Sequence, residues 1–153
     1  AIEKLLNILH DIRAVEWPDD SFFGLTTCNI GVLEGGTRPN VIPDHARAQL
    51  QIRLGIDIEQ VKRIVGRTVG ERGEIEYASA HNPVRLFSIP GFDETVVRFT
   101  TDVPYLSNWG KPLLLGPGSI LDAHTEHERV SKRELEDAVD LYVKLAGELG
   151  NHK

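Results

Sequence analysis

Residues 35–55 read GGTRPNVIPDHARAQLQIRLG, and this stretch decides the fold of the first part of the chain. Gly35 and Gly36 break one extended segment, a proline-bounded loop follows, and residues 46–54 then alternate between apolar and polar side chains. Alternation with a period of two is typical of a β-strand that buries one face. Residues 24–33 alternate in the same way, so we predict an antiparallel hairpin.

Amphipathic helices flank the predicted hairpin on both sides. Residues 1–15 carry isoleucine and leucine at helical spacing, and Asp57 with Gln60 resembles a helix N-terminus that leads into a second apolar stripe. Residues 74–78 suggest one more short strand. The first part of the chain is therefore predicted to be a small antiparallel sheet with helices on one face.

The pattern changes after residue 80. Residues 81–92, HNPVRLFSIPGF, contain two prolines and a glycine and indicate a connector. Residues 112–115 include three consecutive leucines, which favours a strand buried on both faces, as in a parallel sheet. Ser131 and Glu134 form an S-x-x-E capping box that opens a last amphipathic helix. This second part is therefore predicted to have strand-loop-helix order and an α/β architecture.

Composition excludes several classes of protein. The 153 residues carry a net charge of −6 without a run of basic residues, so nucleic acid is a poor candidate partner. No apolar run approaches the roughly 18 residues that a membrane span needs, and no signal-peptide pattern opens the chain. The single cysteine, Cys28, lies in an alternating segment and is expected to be a buried apolar side chain. We expect a cytoplasmic protein, and the start at Ala1 without any methionine suggests a piece of a longer one.

The segment GPGSILDAHTEHE, residues 116–128, gathers the side chains most suited to chemistry. His124 follows a predicted strand end and a flexible glycine-rich turn, and carboxylates nearby in sequence could orient its ring. Neutral imidazole is a common zinc ligand, although a loop histidine also serves as an ordinary surface or turn residue. His127 and Glu128 are too close in sequence to complete a site easily, and the chain has no H-x-x-x-H, C-x-x-C or H-x-D pair.

Two further groups are candidates for substrate contacts. Gly116 and Gly118 either permit a tight turn or let backbone N–H groups approach an anionic or carbonyl oxygen. Asn40 lies between two prolines, and Arg53 lies on the polar face of the predicted strand. An amide and a guanidinium held by rigid backbone suit a substrate carboxylate, while a surface salt bridge is the alternative for Arg53.

The order of these motifs resembles one family. The motifs that carry the resemblance are, in chain order, GG-x-x-x-NVIPD, a strand ending in arginine, TD-x-x-x-L, GKPLLLGPG, and AHT-x-x-E before a capped helix. They are similar to those of the dizinc acetylornithine deacetylases, the succinyl-diaminopimelate desuccinylases and their carboxypeptidase and aminoacylase relatives. The resemblance covers nearly all of the chain. It implies that residues 1–80 are a lid, or dimerisation, domain without its first strand, and that residues 81–153 are the C-terminal part of the catalytic domain.

The resemblance also implies roles for individual residues. His124 matches the one metal ligand from this part of the family's catalytic domain, and Glu128 matches an acidic residue with a supporting role. Gly116 and Gly118 match a loop that lines the substrate pocket. The lid residues that hold the substrate's carboxylate end or its scissile carbonyl, in some members across a dimer, correspond to Asn40 and Arg53.

The family's activity implies a small N-acyl amino acid as substrate, two zinc ions with cobalt as an alternative, a homodimer formed through the lid, and a place in amino-acid biosynthesis. Its mechanism polarises an amide carbonyl and activates a bridging water, with a glutamate moving protons. This chain has no adjacent Glu-Glu pair and no H-x-D, so no catalytic residue is expected within it and the isolated chain is predicted to be inactive. The alternative is a non-catalytic dimerisation or interaction module.

Overall fold

The computed structural model describes residues 1–151. The elements in this range are α1 (Ile2–Arg13), β1 (Asp19–Asp20), β2 (Gly24–Leu25), β3 (Thr27–Gly35), β4 (Ala46–Arg53), α2 (Ile58–Val69) and α3 (Lys132–Asn151), with short 3-10 turns at Gly70–Arg72 and Val103–Tyr105. Helices and small antiparallel sheets together confirm the predicted mixed α+β fold.

Two compact units divide the chain, Ala1–Gly110 and Lys111–Lys153. The predicted connector lies within the first unit, where the Asn82 side-chain oxygen accepts a hydrogen bond of 2.8 Å from the backbone N–H of Ile58 at the start of α2. Compact units and the domains of a family are different divisions of a chain. The predicted domain boundary between residues 80 and 81 therefore stays a prediction.

The hairpin of β3 and β4 is the central feature of the first unit. The strands are antiparallel, with Thr27 opposite Arg53 and Gly35 opposite Ala46, and the register shifts by one residue between Ile30 and Val32. Such a bulge bends one strand and increases its twist. The predicted hairpin is confirmed, and its loop comprises the proline-bounded residues 36–45.

The core of the first unit lies between the two helices and one face of the hairpin. Its buried side chains are Ile8, Ile12, Val61, Val65 and Val69, and partly buried Trp17, Cys28, Ile52, Leu54 and Ile56 pack against them. The inward side chains of α1 and α2 recur at helical spacing, so each helix buries one apolar stripe. Cys28 is half-buried in this layer, as expected for an apolar role, and desolvation raises the pKa of its thiol.

Close backbone packing joins the hairpin to the segment before it. The backbone N–H of Gly55 donates a hydrogen bond of 3.0 Å to the hydroxyl of Thr26, whose side chain is buried. A Cβ on residue 55 would lie 2.0 Å from the carbonyl oxygen of Gly24. Only glycine allows the chain to turn from β4 into α2 so close to β2.

The helix caps follow the sequence closely. The Asp57 carboxylate accepts a hydrogen bond from the backbone N–H of Glu59 at 2.8 Å, which confirms the predicted start of α2. At α3, the Ser131 hydroxyl accepts from the N–H of Glu134, and the Glu134 carboxylate accepts from the N–H of Ser131, both at 3.0 Å. The capping box is therefore present with both reciprocal bonds.

Two predicted strands are wrong. Residues 74–78 and 112–115 form no strand in the structure. Ile75, Tyr77 and Leu114 are all exposed. An apolar pattern indicates which side chains favour burial, but a strand also needs a neighbour that accepts its hydrogen bonds, and neither segment has one among residues 1–151.

In the second unit, a polar contact links α3 to the preceding segment. The Tyr142 hydroxyl donates a hydrogen bond of 3.0 Å to the carbonyl oxygen of Leu115. Ala138 is buried on α3, while Val139 and Val143 are well exposed.

None of the helices within residues 1–151 combines the length and the apolar character that crossing a bilayer requires.

Candidate functional site

His124 lies at a distinctive backbone position. Its φ is 61°, and it is the one residue other than glycine within residues 1–151 that has a positive φ. Histidine enters this left-handed region more readily than most side chains, yet such a position still favours glycine. The side chain of His124 is exposed, and its imidazole makes no hydrogen bond or ion pair with the rest of the described chain. Both ring nitrogens can therefore reach a ligand.

Hydrogen bonds within residues 122–128 hold the backbone around His124. The Glu128 carboxylate accepts a bond of 2.9 Å from the His124 N–H, and the Glu128 N–H donates to the carbonyl of Thr125 at 3.1 Å. The Thr125 hydroxyl donates to the carbonyl of Asp122 at 2.8 Å and accepts from the N–H of His127 at 3.3 Å. The segment is a compact turn whose side chains bond to its own backbone.

His127 differs from His124 in its surroundings. Its Nε2 lies 3.7 Å from a carboxylate oxygen of Glu126, and both side chains are more than four-fifths exposed. An exposed pair at this distance contributes little to stability. Across residues 1–151, no group of three or more His, Cys, Asp or Glu side chains converges closely enough to hold a metal ion. The turn therefore fits one ligand of a metal centre rather than a complete centre.

The glycines of the Gly-Pro-Gly segment behave differently from each other. Gly118 has a φ of 86°, and a Cβ there would lie 3.4 Å from Val130, so the turn itself requires glycine. Gly116 has open space where a Cβ would be. Neither backbone N–H is hydrogen-bonded to another part of the described chain. The turn explanation thus accounts for Gly118, and the approach of a ligand to Gly116 is sterically open.

Arg53 at the end of β4 has no salt bridge to any residue in the described range. One guanidinium nitrogen, Nη1, donates a hydrogen bond of 2.8 Å to the carbonyl oxygen of Arg98. The surface salt bridge that was the alternative for Arg53 is therefore absent from the described residues. A carbonyl neutralises no charge, so the guanidinium retains the capacity to bind a carboxylate.

Asn40 and Arg53 lie at opposite ends of the hairpin. Asn40 is exposed in a turn closed by a 3.1 Å hydrogen bond from the Val41 N–H to the Arg38 carbonyl, whereas Arg53 ends a strand that begins at Ala46. Seven residue steps along that strand alone cover roughly 23 Å. The structure does not bring the two side chains together within one chain.

Sequence reasoning missed two contacts at these sites. The Thr125 hydroxyl bonds on both sides of His124, and the Arg98 carbonyl holds the Arg53 side chain. A threonine directly after a loop histidine is a local signal, because Ser and Thr hydroxyls readily bond to neighbouring backbone. The Arg98 contact spans 45 residues and involves main chain, so side-chain identity carries no signal for it.

The α+β layer of residues 1–74 matches the profile of the peptidase dimerisation domain of the M20 family. The chain is also 35% identical over 148 residues to a peptidase M20 domain-containing protein of Schizosaccharomyces pombe, covering 95% of this chain and 37% of that protein. A probable carboxypeptidase of Aspergillus clavatus is 37% identical over 145 residues, covering 84% of this chain and 32% of that protein.

A peptidase M20 domain-containing protein of Sordaria macrospora is 36% identical over 155 residues, covering 95% of this chain and 34% of that protein. No solved structure matched significantly. The findings support the M20 peptidase family for this chain, and they do not single out the acetylornithine deacetylases or succinyl-diaminopimelate desuccinylases within it. The chain spans about a third of the length of the curated relatives that it matches.

Proposed function

We propose that this chain is part of a metal-dependent hydrolase that cleaves an amide bond next to a free carboxylate, with an N-acyl amino acid as the substrate. The observation that carries the proposal is His124, an exposed imidazole without partners among residues 1–151, at the apex of a hydrogen-bonded turn. Several relatives are named probable carboxypeptidases, and carboxypeptidases cleave the same kind of bond at the end of a peptide. We expect zinc, with cobalt as an alternative ion.

Each candidate residue has a distinct task in this proposal. His124 donates one imidazole nitrogen to the metal, and further ligands come from protein outside this chain. When bound, the metal centre polarises the amide carbonyl and activates a water molecule. Arg53 binds the substrate carboxylate through its free guanidinium nitrogens, and Asn40 donates its amide N–H to the carboxylate or the scissile carbonyl. The open backbone at Gly116 and the turn at Gly118 line the pocket.

The separation of Asn40 from Arg53 favours a homodimer. One small substrate cannot span roughly 23 Å of strand, so both residues contact it only if they come from different subunits. The match of residues 1–74 to a peptidase dimerisation domain supports the same arrangement. We therefore propose that the lid domains of two copies pair and that each contributes one clamp residue.

The metal role is tested by His124→Ala in the full-length protein that contains this chain, with His127→Ala as the matched control. Both histidines are exposed in the same turn, but only His127 has a carboxylate beside its ring. Bound metal, measured by mass spectrometry after gel filtration, and amide hydrolysis should fall at least tenfold in His124→Ala and stay at the wild-type level in His127→Ala. Unchanged metal content in His124→Ala would contradict the proposal.

The carboxylate clamp is tested by Arg53→Ala, with Arg47→Ala as its control. Arg47 lies on the same polar face of β4 but pairs with Glu34 at 2.7 Å. Arg53→Ala should raise KM for acyl amino acids and leave KM unchanged for analogues whose carboxylate is replaced by an amide. An equal loss on both substrates would indicate a folding defect instead.

A non-catalytic dimerisation module is the second candidate. It is favoured by the lack of any group of three metal-ligating side chains in the described range. Hydrolysis of acyl amino acids by the full-length protein separates the two candidates, because both expect a dimer without a complete metal centre from the 153-residue chain alone. A stable dimer that binds no zinc, together with a full-length protein that hydrolyses no acyl amino acid, would favour the module.

A further inference from the structure

The turn of residues 122–128 contains more hydrogen bonds than a connection of its length needs. Four bonds of 2.8 to 3.3 Å join its side chains and backbone. Three of them involve the hydroxyl or the carbonyl of Thr125, and the fourth joins the Glu128 carboxylate to the N–H of His124. All four surround the residue with the positive φ.

These bonds form a closed circuit around His124. Starting at its N–H, the circuit runs to the Glu128 carboxylate, along Glu128 to its own N–H, and then to the Thr125 carbonyl next to His124. The Thr125 hydroxyl adds a brace from the Asp122 carbonyl to the His127 N–H. Because both ends of the turn are held, His124 cannot relax to a negative φ without breaking at least one bond.

The backbone conformation of His124 sets the direction of the Cα–Cβ bond from which the imidazole projects. A change of φ at His124 from the left-handed to the right-handed region would redirect the Cα–Cβ bond and carry the ring with it. Unfavourable backbone conformations persist where surrounding contacts determine them, and they occur often at functional positions. A ligand fixed before the metal arrives also loses less conformational freedom on binding.

We propose that Thr125 is a positioning residue for His124, acting together with Glu128 through this circuit. The proposal deepens the proposed function and rests on it, because it assigns the circuit the task of presenting the imidazole to a metal ion. Thr125 itself touches neither metal nor substrate. Its hydroxyl holds the turn, and the turn sets the direction of the Cα–Cβ bond from which the His124 ring projects.

Paired substitutions test the circuit, one of each pair removing the polar group and the other keeping it. Thr125→Val removes the hydroxyl and keeps the branched shape, and Thr125→Ser keeps the hydroxyl. Glu128→Ala removes the acceptor, and Glu128→Gln keeps an acceptor oxygen. Glu126→Gln is the control, because Glu126 lies in the same turn, is exposed and only approaches His127 at 3.7 Å.

The first measurement is the affinity of the full-length protein for Zn²⁺ alone, determined by competition with a chromophoric chelator. Loss of partners that orient a metal-binding histidine typically weakens affinity 10- to 100-fold. We expect a loss of at least about tenfold for Thr125→Val and Glu128→Ala, recovery to within about threefold of wild type for Thr125→Ser and Glu128→Gln, and no change for Glu126→Gln.

The second measurement is hydrogen exchange of the His124 amide in the 153-residue chain, followed by NMR without metal. The amide should exchange faster in Glu128→Ala and Thr125→Val than in the rescue variants. If zinc affinity stays at the wild-type level in Thr125→Val while His124→Ala loses zinc, the positioning role is wrong and the proposed function stands. If His124→Ala retains zinc, the proposed function fails first.

Discussion

The two compact units of the chain are organised by different physical interactions. In residues 1–110, two helices and a hairpin enclose a buried apolar layer, with Ile12 only 2% exposed. In residues 111–151, the conformation of the turn around His124 follows from short polar bonds between neighbours in sequence. Burial fixes the position of whole elements, whereas a hydrogen-bonded turn fixes the backbone at one residue.

The largest effect is expected where the apolar unit packs backbone against backbone. In Gly55→Ala, the new Cβ would lie 2.0 Å from the Gly24 carbonyl oxygen. Relieving this clash requires the backbone itself to move. Overpacking of this kind should lower the free energy of unfolding by about 3 kcal/mol or more. Urea unfolding, followed by fluorescence of Trp17 in a Trp109→Phe background, measures the change.

Gly66→Ala is the matched control for Gly55→Ala. Gly66 lies within α2, and a Cβ there has no heavy atom within 4 Å. Alanine is the better helix former, so this variant should be more stable than wild type by about 0.5 to 1 kcal/mol. Equal destabilisation by both substitutions would show that the chain between β4 and α2 is not closely packed.

Truncation of one apolar side chain in each unit compares the two units directly. Ile12→Ala removes a side chain at the centre of the first core and should cost about 2 to 3 kcal/mol. Val139→Ala removes a side chain of α3 that is 59% exposed and should change the free energy of unfolding by less than about 0.5 kcal/mol. A cost for Val139→Ala close to that for Ile12→Ala would show that α3 is buried in solution, for example by a partner.

A polar contact inside the apolar unit should have an intermediate effect. Thr26→Val keeps the shape of the side chain and leaves the N–H of buried Gly55 without its acceptor. The expected cost is about 1 to 2 kcal/mol in the same urea assay. Thr26→Ser retains the hydroxyl and should lose clearly less. If Thr26→Val is as stable as the wild type, the hydrogen bond from the Gly55 N–H does not contribute to the stability of the first unit.

The first unit was largely predictable from sequence because its signals are local and periodic. The alternation at residues 46–54, the apolar stripes of both helices and the cap at Asp57 each specify an element within a few residues. The sequence predicted a strand at residues 112–115 that the structure does not form, because strand pairing depends on a neighbour that the local pattern does not specify. Apolar runs of this length indicate burial without specifying the partner.

The candidate site was predictable only in part, for a related reason. Residue type and position identified His124, and the structure adds the positive φ and the Thr125 hydroxyl that accompany it. A left-handed conformation at a residue other than glycine leaves no trace in composition or periodicity. The separation of Asn40 from Arg53 required the hairpin register, which only the paired strands supply.

The smallest effect concerns the capping box at the start of α3, in the second unit. Bonds from the Ser131 hydroxyl and the Ser131 backbone N–H lower the pKa of Glu134 from its usual 4.5. A group whose pKa is lower in the folded than in the unfolded state stabilises the folded state at pH values above its unfolded pKa. This stabilisation is lost as the pH falls through the pKa of the folded state. The start of α3 should therefore lose order as the pH falls below about 4.5 and through the lowered pKa of Glu134.

Side-chain carbon NMR across an acid titration measures this directly. The pKa of Glu134 should lie below 4.5 in the wild type and return towards 4.5 in Ser131→Ala, because that variant removes the side chain that contributes most to lowering it. An unchanged pKa of Glu134 in Ser131→Ala would mean that the helix start is not held by the capping box in solution, and that local polar bonds organise less of the second unit than the turn around His124 indicates.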